Sequence, residues 1–427
     1  MKTLFLIVFL CFGYIIQAQD TLYLSHNKLL ELTLNQNLQI QKNELNYGLA
    51  KISFYKSIGH NLPALGIGIK RYELDGFTQS TEGDFVDVNK NNEWNGKSFR
   101  ISLDLSNLLF NSIAENKDVK AAFYNKEILN LDEQITVFSN YYRLVASKEK
   151  EKAITSFVSK NKEIVSQLQL QVSAGLRLQS ELLLAQSNLN NLEIKLLQQK
   201  QNTDKLSQFL LESLNLNDNY ILKIEYDFYK SISTDINNVH LEDKLNNRFE
   251  LQQVQLEVTS NKWRKNKELF GLFLPEISFG MNDGLFSSIN QDAFGNQNIT
   301  TTSLLWNIPL GSIFPAGNYK NRNYLYKIKL LEKEQLENKL KAEMKNLLTA
   351  YNSALKQYSL AKESIEYAKL AYEQSLQRQT LRTATQLELF HAEKEFLNAK
   401  LIYIDAITYK QEIAHEKMIA FSKKVIQ

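Results

Sequence analysis

Apolar residues in this chain follow two periods, and the changeover between them divides it into segments. Leu65, Ile67 and Ile69 alternate with Gly66, Gly68 and Lys70, and Phe99, Ile101, Leu103 and Leu105 alternate with Arg100, Ser102, Asp104 and Ser106. Ile277, Phe279 and Met281 alternate with Glu276, Ser278, Gly280 and Asn282, and a fourth run lies around Leu304, Trp306, Ile308 and Leu310. Period two places alternate side chains on opposite faces of a strand. Such a strand suits a transmembrane barrel with a wet interior or a soluble sheet covering a core, and alternation alone does not choose between them. The polar stretches Glu73 to Lys97 and Asp283 to Thr300 read as loops joining each pair of strands, on the outer side if the sheet spans a membrane.

Elsewhere the period is helical. Ile128, Leu131, Ile135, Phe138, Tyr142 and Val145 recur at intervals of three and four, as do Leu347, Tyr351, Ala354, Tyr358, Ala361, Ile365, Ala368 and Tyr372. This seven-residue repeat lays one apolar seam along a helix and favours coiled-coil packing. Tyr351, Tyr358 and Tyr372 therefore read as seam residues and not as substrate contacts. Glycine and proline set the helix lengths. The four prolines are Pro63, Pro275, Pro309 and Pro315; between Gly96 and Gly271 only Gly175 occurs, and no glycine follows Gly317. A helix from Ser112 to Ala174 would rise on the order of 95 Å.

The plan occurs twice. Leu62-Pro63 and Leu274-Pro275 each close a helical segment and precede a strand pair and a helical hairpin, and Glu181 and Glu388 recur at nearly the same offset as the two prolines. Residues 19–215 form the first repeat, 216–244 a connector with Tyr226, Phe228 and Tyr229, and 245–427 the second repeat. At the N-terminus, Lys2 followed by the apolar run Leu4 to Ile16 and the small residue Ala18 reads as a signal peptide, residues 1–18, too short for a spanning helix. The single cysteine, Cys11, lies inside it, so the mature chain is expected to form no disulfide.

Lys and Arg number 50 against 47 Asp and Glu, for a net charge of +3, which gives no sign of a nucleic-acid surface. The histidines, His26, His60, His240, His391 and His415, are scattered, and no glycine-rich phosphate loop or catalytic set is present. No enzymatic activity, metal or cofactor is expected. No later stretch is apolar enough for a transmembrane helix, so a membrane crossing would use strands. Four strands cannot close a barrel, and open edges are not tolerated in lipid, so such a protomer must share its barrel with other copies.

Taken in order, these features resemble the TolC family of outer-membrane efflux proteins over essentially the whole mature chain. Leu22-Tyr23-Leu24 with Asn37 resembles the family's opening, though its usual alanines are missing. Asn247-Arg248-Phe249-Glu250-Leu251 resembles the signature opening the second half, with Phe249 in place of proline. Trp306 to Leu310 with Phe314 and Gly317 resembles the final strand and its turn, whereas Leu103 to Asn111 lacks that glycine. Gly175 followed by Glu181-Leu182-Leu183-Leu184-Ala185 matches the family's hairpin turn; in the second half Arg382 takes the glycine position ahead of Glu388-Leu389-Phe390-His391-Ala392.

The resemblance implies a mainly α fold with a small β part: duplicated coiled-coil hairpins, and four amphipathic strands per protomer contributing to a trimeric 12-strand transmembrane β-barrel above an α-helical periplasmic barrel. It implies an exit duct in the outer membrane for a tripartite efflux pump or a type I secretion system, with a periplasmic adaptor and an inner-membrane pump as partners. Glu388, and less directly Glu181, would line the periplasmic pore entrance, and three copies of Glu388 would form a carboxylate ring. A solvated helix residue explains Glu388 equally simply. Gly175, Arg177 and Arg382 are candidates for the tip or adaptor contact, the arginines by pairing with the acids. Trp306 and Phe99 are candidates for an aromatic girdle, with packing on the lipid face as the alternative. A periplasmic coiled-coil adaptor without a pore is the competing reading; it leaves the duplicated strand pairs unexplained.

Overall fold

The computed structural model describes residues 21–59, 62–80, 82–225, 227–229, 245–288, 293–306, 317–381 and 383–421. The expected signal peptide with Cys11, His60 and His240, most of the connector, Ile308, Pro309, Leu310, Pro315 and Arg382 lie outside them. In chain order the elements are β1 (Thr21–Leu24), α1 (His26–Gln36), α2 (Leu38–Gly59), β2 (Ala64–Gln79) and β3 (Phe85–Asp104). A π turn (Asn107–Asn111), α3 (Ser112–Ser173), α4 (Gln179–Ser213) and β4 (Ile221–Ile224) follow. The second half holds α5 (Phe249–Phe270), a 3-10 turn (Gly271–Phe273), β5 (Glu276–Ser288), β6 (Ala293–Leu305), α6 (Asn318–Thr380) and α7 (Gln386–Phe421). The chain forms two compact units, each drawing segments from both halves of the sequence.

One unit comprises residues 45–126 and 249–338. Its strands form an antiparallel sheet in the order β2-β3-β5-β6. Leu65, Phe99 and Met281 stand opposite one another in register, as do Ile101 with Phe279 and Leu103 with Ile277, so their side chains share one face. That face is open: Leu65 is 83% exposed and Ile67 87%. On β3 and β5 the apolar run ends at Lys97 and Asp283, which are also opposite each other. The other face carries Gly66, Ser98, Arg100 and Gly280. Gly96 and Gly284 are direct cross-strand partners with the indole of Trp94 against them, and a Cβ on either would meet the other's backbone within 3 Å. Close strand approach therefore requires glycine here.

Two expectations are corrected. The polar segments 73–97 and 283–300 are mostly strand, because β2 and β3 stay paired from Ala64↔Arg100 to Gln79↔Phe85 and β5 and β6 from Glu276↔Leu305 to Ser288↔Ala293. Ladder hydrogen bonds extend a hairpin whether or not its side chains alternate, and a stretch wetted on both faces has no reason to alternate. The fourth strand runs from Ala293 to Leu305 and so contains Leu304 of the expected run, of which Ile308 and Leu310 lie outside the described residues. At the strand-to-helix bend after β3, where no glycine occurs, the Asp104 carboxylate accepts the Asn107 backbone N–H at 2.9 Å. The helices of this unit are cross-linked by ion pairs of Arg264 with Asp118 and Lys329 with Glu257.

The second unit takes residues 21–44, 127–248 and 339–421 as far as they are described. Its core gathers Leu24, Leu29, Phe138, Tyr141, Tyr142, Leu210, Leu214, Leu222, Phe228, Ile404 and Ile407 around a small parallel pair, β1 with β4, which the sequence did not suggest. The heptad seam is seated as the periodicity requires: Phe138, Tyr142, Val145, Ala354, Ala361 and Tyr372 are buried. Tyr358 stacks on Tyr403 and Tyr372 on Phe396, which makes both tyrosines seam residues. Asn37, 2% exposed, donates to the Glu133 carboxylate and to the Ser213 carbonyl. No helix among the described residues is long and apolar enough to cross a membrane.

Candidate functional site at the hairpin turns

The two hairpin turns, between α3 and α4 and between α6 and α7, hold most of the residues singled out in the sequence. Gly175 ends α3. Its N–H bonds the Val172 carbonyl at 3.0 Å and the Leu176 N–H bonds the Gln171 carbonyl at 2.8 Å, with Gly175 at φ +71°. This is a Schellman stop, which needs a left-handed residue and so favours glycine. Space around the Gly175 Cα is open, so the backbone angle and not a close approach explains the glycine. At the second turn the Thr383 N–H reaches the Arg378 carbonyl at 2.8 Å, the same long closing bond. The position corresponding to Gly175 is residue 382, outside the described residues.

Both acids lie in the first turn of their helices. The Glu388 N–H donates to the Thr385 hydroxyl at 3.2 Å, so Thr385 caps α7 with the acid three residues on. A carboxylate there is also favoured by the partial positive charge of a helix N-terminus. Glu388 is half exposed, and its carboxylate lies 3.9 Å from the Arg378 guanidinium. Arg382, expected beside this acid, lies outside the described residues. Glu181 is more enclosed and pairs with Arg177 at 3.4 Å. Leucines surround the turns with their side chains open: Leu176 is 63% exposed, Leu178 67%, Leu381 73% and Leu387 66%.

Deeper in the hairpins is a group to which no sequence motif points. Glu393 on α7, 3% exposed, accepts hydrogen bonds from Asn161 on α3 and Asn188 on α4. Burial pushes the Glu393 carboxyl above the usual range, against the two asparagines and Lys160, which favour the ion. Burial and the neighbouring Glu393 push the Tyr372 phenol up to about 12. Glu393 escaped notice because its partners come from two other helices and each residue alone reads as a wetted position.

At the sheet, Phe99 lies between Leu65 and Met281 in the apolar band and meets Phe279 edge-on at 6.0 Å. Trp306, 55% exposed, directly follows β6. Among the described residues no group of three or more His, Cys, Asp or Glu is arranged to hold a metal ion.

No protein-family model matches the sequence, and no curated protein matches it. Solved structures do. The outer-membrane channel OprN is similar over 93% of this chain and 90% of its own, with a TM-score of 0.77 and 16% identity. The Campylobacter jejuni CmeC outer membrane channel is similar over 93% and 85%, with a TM-score of 0.74 and 18% identity. The open-state Neisseria gonorrhoeae MtrE outer membrane channel is similar over 92% and 88%, at 0.72 and 14%. At such identities the likeness is one of fold, and this chain has the TolC-type fold of these outer-membrane channels.

Proposed function

We propose that this chain, which has the fold of outer-membrane channels, is itself a channel subunit: the exit duct of a tripartite efflux pump or type I secretion system. The observation that carries the reading is the four-stranded sheet with one open apolar face and two edges unpaired among the described residues, set in a fold shared over nine-tenths of the chain with channels. Three copies closing their sheets edge to edge give a 12-strand barrel in which every backbone group is paired, as lipid demands. The protein then resides in the outer membrane and extends into the periplasm. A periplasmic adaptor without a pore has no use for a sheet whose apolar residues face outward.

The duct is passive, and energy comes from an inner-membrane pump reached through a periplasmic adaptor. The exposed leucines at the turns suit docking of an apolar adaptor tip. Glu388, and less directly Glu181, are the candidates for a carboxylate ring at the periplasmic entrance, Gly175, Arg177 and Arg382 for the tip or adaptor contact, and Trp306 and Phe99 for an aromatic girdle at the membrane interface. Planar-bilayer conductance of the detergent-extracted trimer tests both levels. Cation-sensitive steps are expected, with Glu388→Ala raising conductance or weakening block by divalent cations. A monomer with no membrane association and no conductance overturns the duct, and unchanged conductance and block in the variant remove Glu388 from the entrance.

A further inference from the structure

The sheet face opposite the apolar band carries cations and aromatic rings that closing a barrel does not require. Lys70, Trp94 and Phe286 are direct partners across β2, β3 and β5, so their side chains stand in one row on this face. The next row toward the helices is Gly68, Gly96 and Gly284, from which no side chain rises. The Trp94 indole leans into the space so left. A Cβ on Gly96 would come within 2.8 Å of its Cζ2 and one on Gly284 within 2.8 Å of its Nε1, whereas the space over Gly68 is open. Lys70, Lys90 and Arg100 share this face; all are exposed, and none meets a carboxylate among the described residues. The acids in the same register, Asp104 and Glu276, lie at the helix end of the strands, where Asp104 accepts the Asn107 N–H and Glu276 the Ser102 hydroxyl.

We propose that the row of Lys70, Trp94 and Phe286 is a binding site for planar aromatic anions leaving through the barrel. The proposal rests on the duct reading, under which this face is the wet inner wall. Cations without carboxylate partners keep their charge only where water reaches them, and in a passage with low-dielectric walls their fields add and draw anions in. Charge alone selects no shape; the indole does. Held at one edge over the glycine pair, it loses little freedom when a flat molecule stacks on it, and Trp94 is only partly buried, so surface remains for stacking. The open space over Gly68 admits a ring system beside it, and Lys70, one strand away, meets a sulfonate, phosphate or carboxylate on the rim of that ring system. Arg100 lies about 20 Å from Trp94 along β3, and Lys90 lies on its other side, so positive charge continues in both directions and a bound anion can pass on. A planar cation gains the same stacking but is repelled by Lys70.

The probe is pyrenetetrasulfonate, a planar aromatic anion. Its dissociation constant is read by equilibrium dialysis against the protein in non-ionic detergent, and its block of potassium current in planar bilayers. The wild type should bind it saturably and be blocked by it. Trp94→Leu should weaken binding about tenfold, the loss of one stacking surface. Lys70→Gln should weaken it up to about fivefold at low salt, the loss of one exposed ion pair. Lys97→Gln, on the apolar face, should leave it unchanged. Ethidium, a planar cation, and sulfate, an anion without rings, should not displace the probe at equal ionic strength. Wild-type affinity in both Trp94→Leu and Lys70→Gln overturns the proposal, as does displacement by either competitor. If Trp94→Leu does not assemble, Phe286→Leu replaces it under the same criterion. Conductance with neither binding nor block refutes the site and leaves the duct standing. Saturable binding that Lys70→Gln weakens, in a protein that never conducts, is instead a failure of the duct reading.

Discussion

Acidification should weaken this protein through one residue, His415. Its ring on α7 is 4% exposed, lies 4.6 Å from Phe138 and 6.1 Å from Tyr142 between ring centres, and neither nitrogen has a hydrogen-bond partner among the described residues. Burial, helped by the neighbouring His26, pulls its pKa from the ordinary 6.5 to about 4. The sign follows from where the proton binds. Above pH 6.5 the ring is neutral in both folded and unfolded chains and contributes no pH dependence. Between 6.5 and 4 the unfolded chain takes up a proton that the folded chain refuses, so stability falls as pH falls. At pH 4.5 the loss is about 2–3 kcal/mol, from 1.36 kcal/mol per pKa unit. Other groups near the ring also titrate: His26, with pKa lowered by burial, and Glu416, with pKa raised by burial and by Glu412 and Glu343. Comparison with His415→Leu isolates the histidine, since those groups remain. The assay is heat-induced loss of helical circular dichroism in detergent from pH 7.5 to 4.5. The wild type should lose midpoint temperature faster than the variant over this range. Parallel pH profiles would refute the argument, because they would mean that His415 finds a proton-accepting partner in the assembled protein.

Two further substitutions test the fold. Phe279→Lys places a charge at the middle of the apolar run of β5, where about 2–4 kcal/mol is at stake if the residue faces lipid. It should abolish the heat-modifiable trimer, while Asn282→Lys on the opposite face should not; equal assembly of the two would place this face away from lipid. Gly175→Ala keeps the open space but forces a Cβ into the left-handed region, at about 1 kcal/mol. Faster hydrogen exchange confined to residues 170–182 is expected, with no change in trimer yield; an unchanged rate would mean that the turn relaxes to another stop.

The sequence revealed what a repeating pattern can carry. Long helices followed from the scarcity of glycine and proline, and the seam tyrosines from heptads along which α6 buries Tyr372 and half-buries Tyr351 and Tyr358. The four strands were legible where one face is apolar and the other polar. Beyond Ile69 on β2 and Lys97 on β3 that contrast disappears and the strand has the polar pattern of a loop, since pairing partners leave no trace in a single segment. The same limit hid the parallel pair of β1 and β4. At the turns, the acids and Gly175 were found from the duplicated motif, but Arg378 as the partner of Glu388 depends on how the turn closes. Glu393 and His415 were the least visible, because burial of a polar residue is a property of four packed helices and not of any one of them.

The sheet gives the strongest physical reason for assembly. Among the described residues β2 pairs only with β3 and β6 only with β5, so both outer edges carry unpaired backbone groups along 16 and 13 residues. In water such edges invite aggregation, and within hydrocarbon each unpaired group costs several kcal/mol. The apolar face is equally unsuited to a lone soluble sheet, because it exposes Leu65, Ile67 and Ile69 together. Lipid satisfies the face but not the edges, and a partner of another kind could satisfy the edges but would have to match two different strands. Copies of the same chain solve both at once, since β6 of one protomer meets β2 of the next antiparallel when the order β2-β3-β5-β6 repeats around a ring. Closure then depends on how many copies a ring needs, and four strands per protomer make three the smallest number that encloses a passage wider than a side-chain-filled eight-strand barrel.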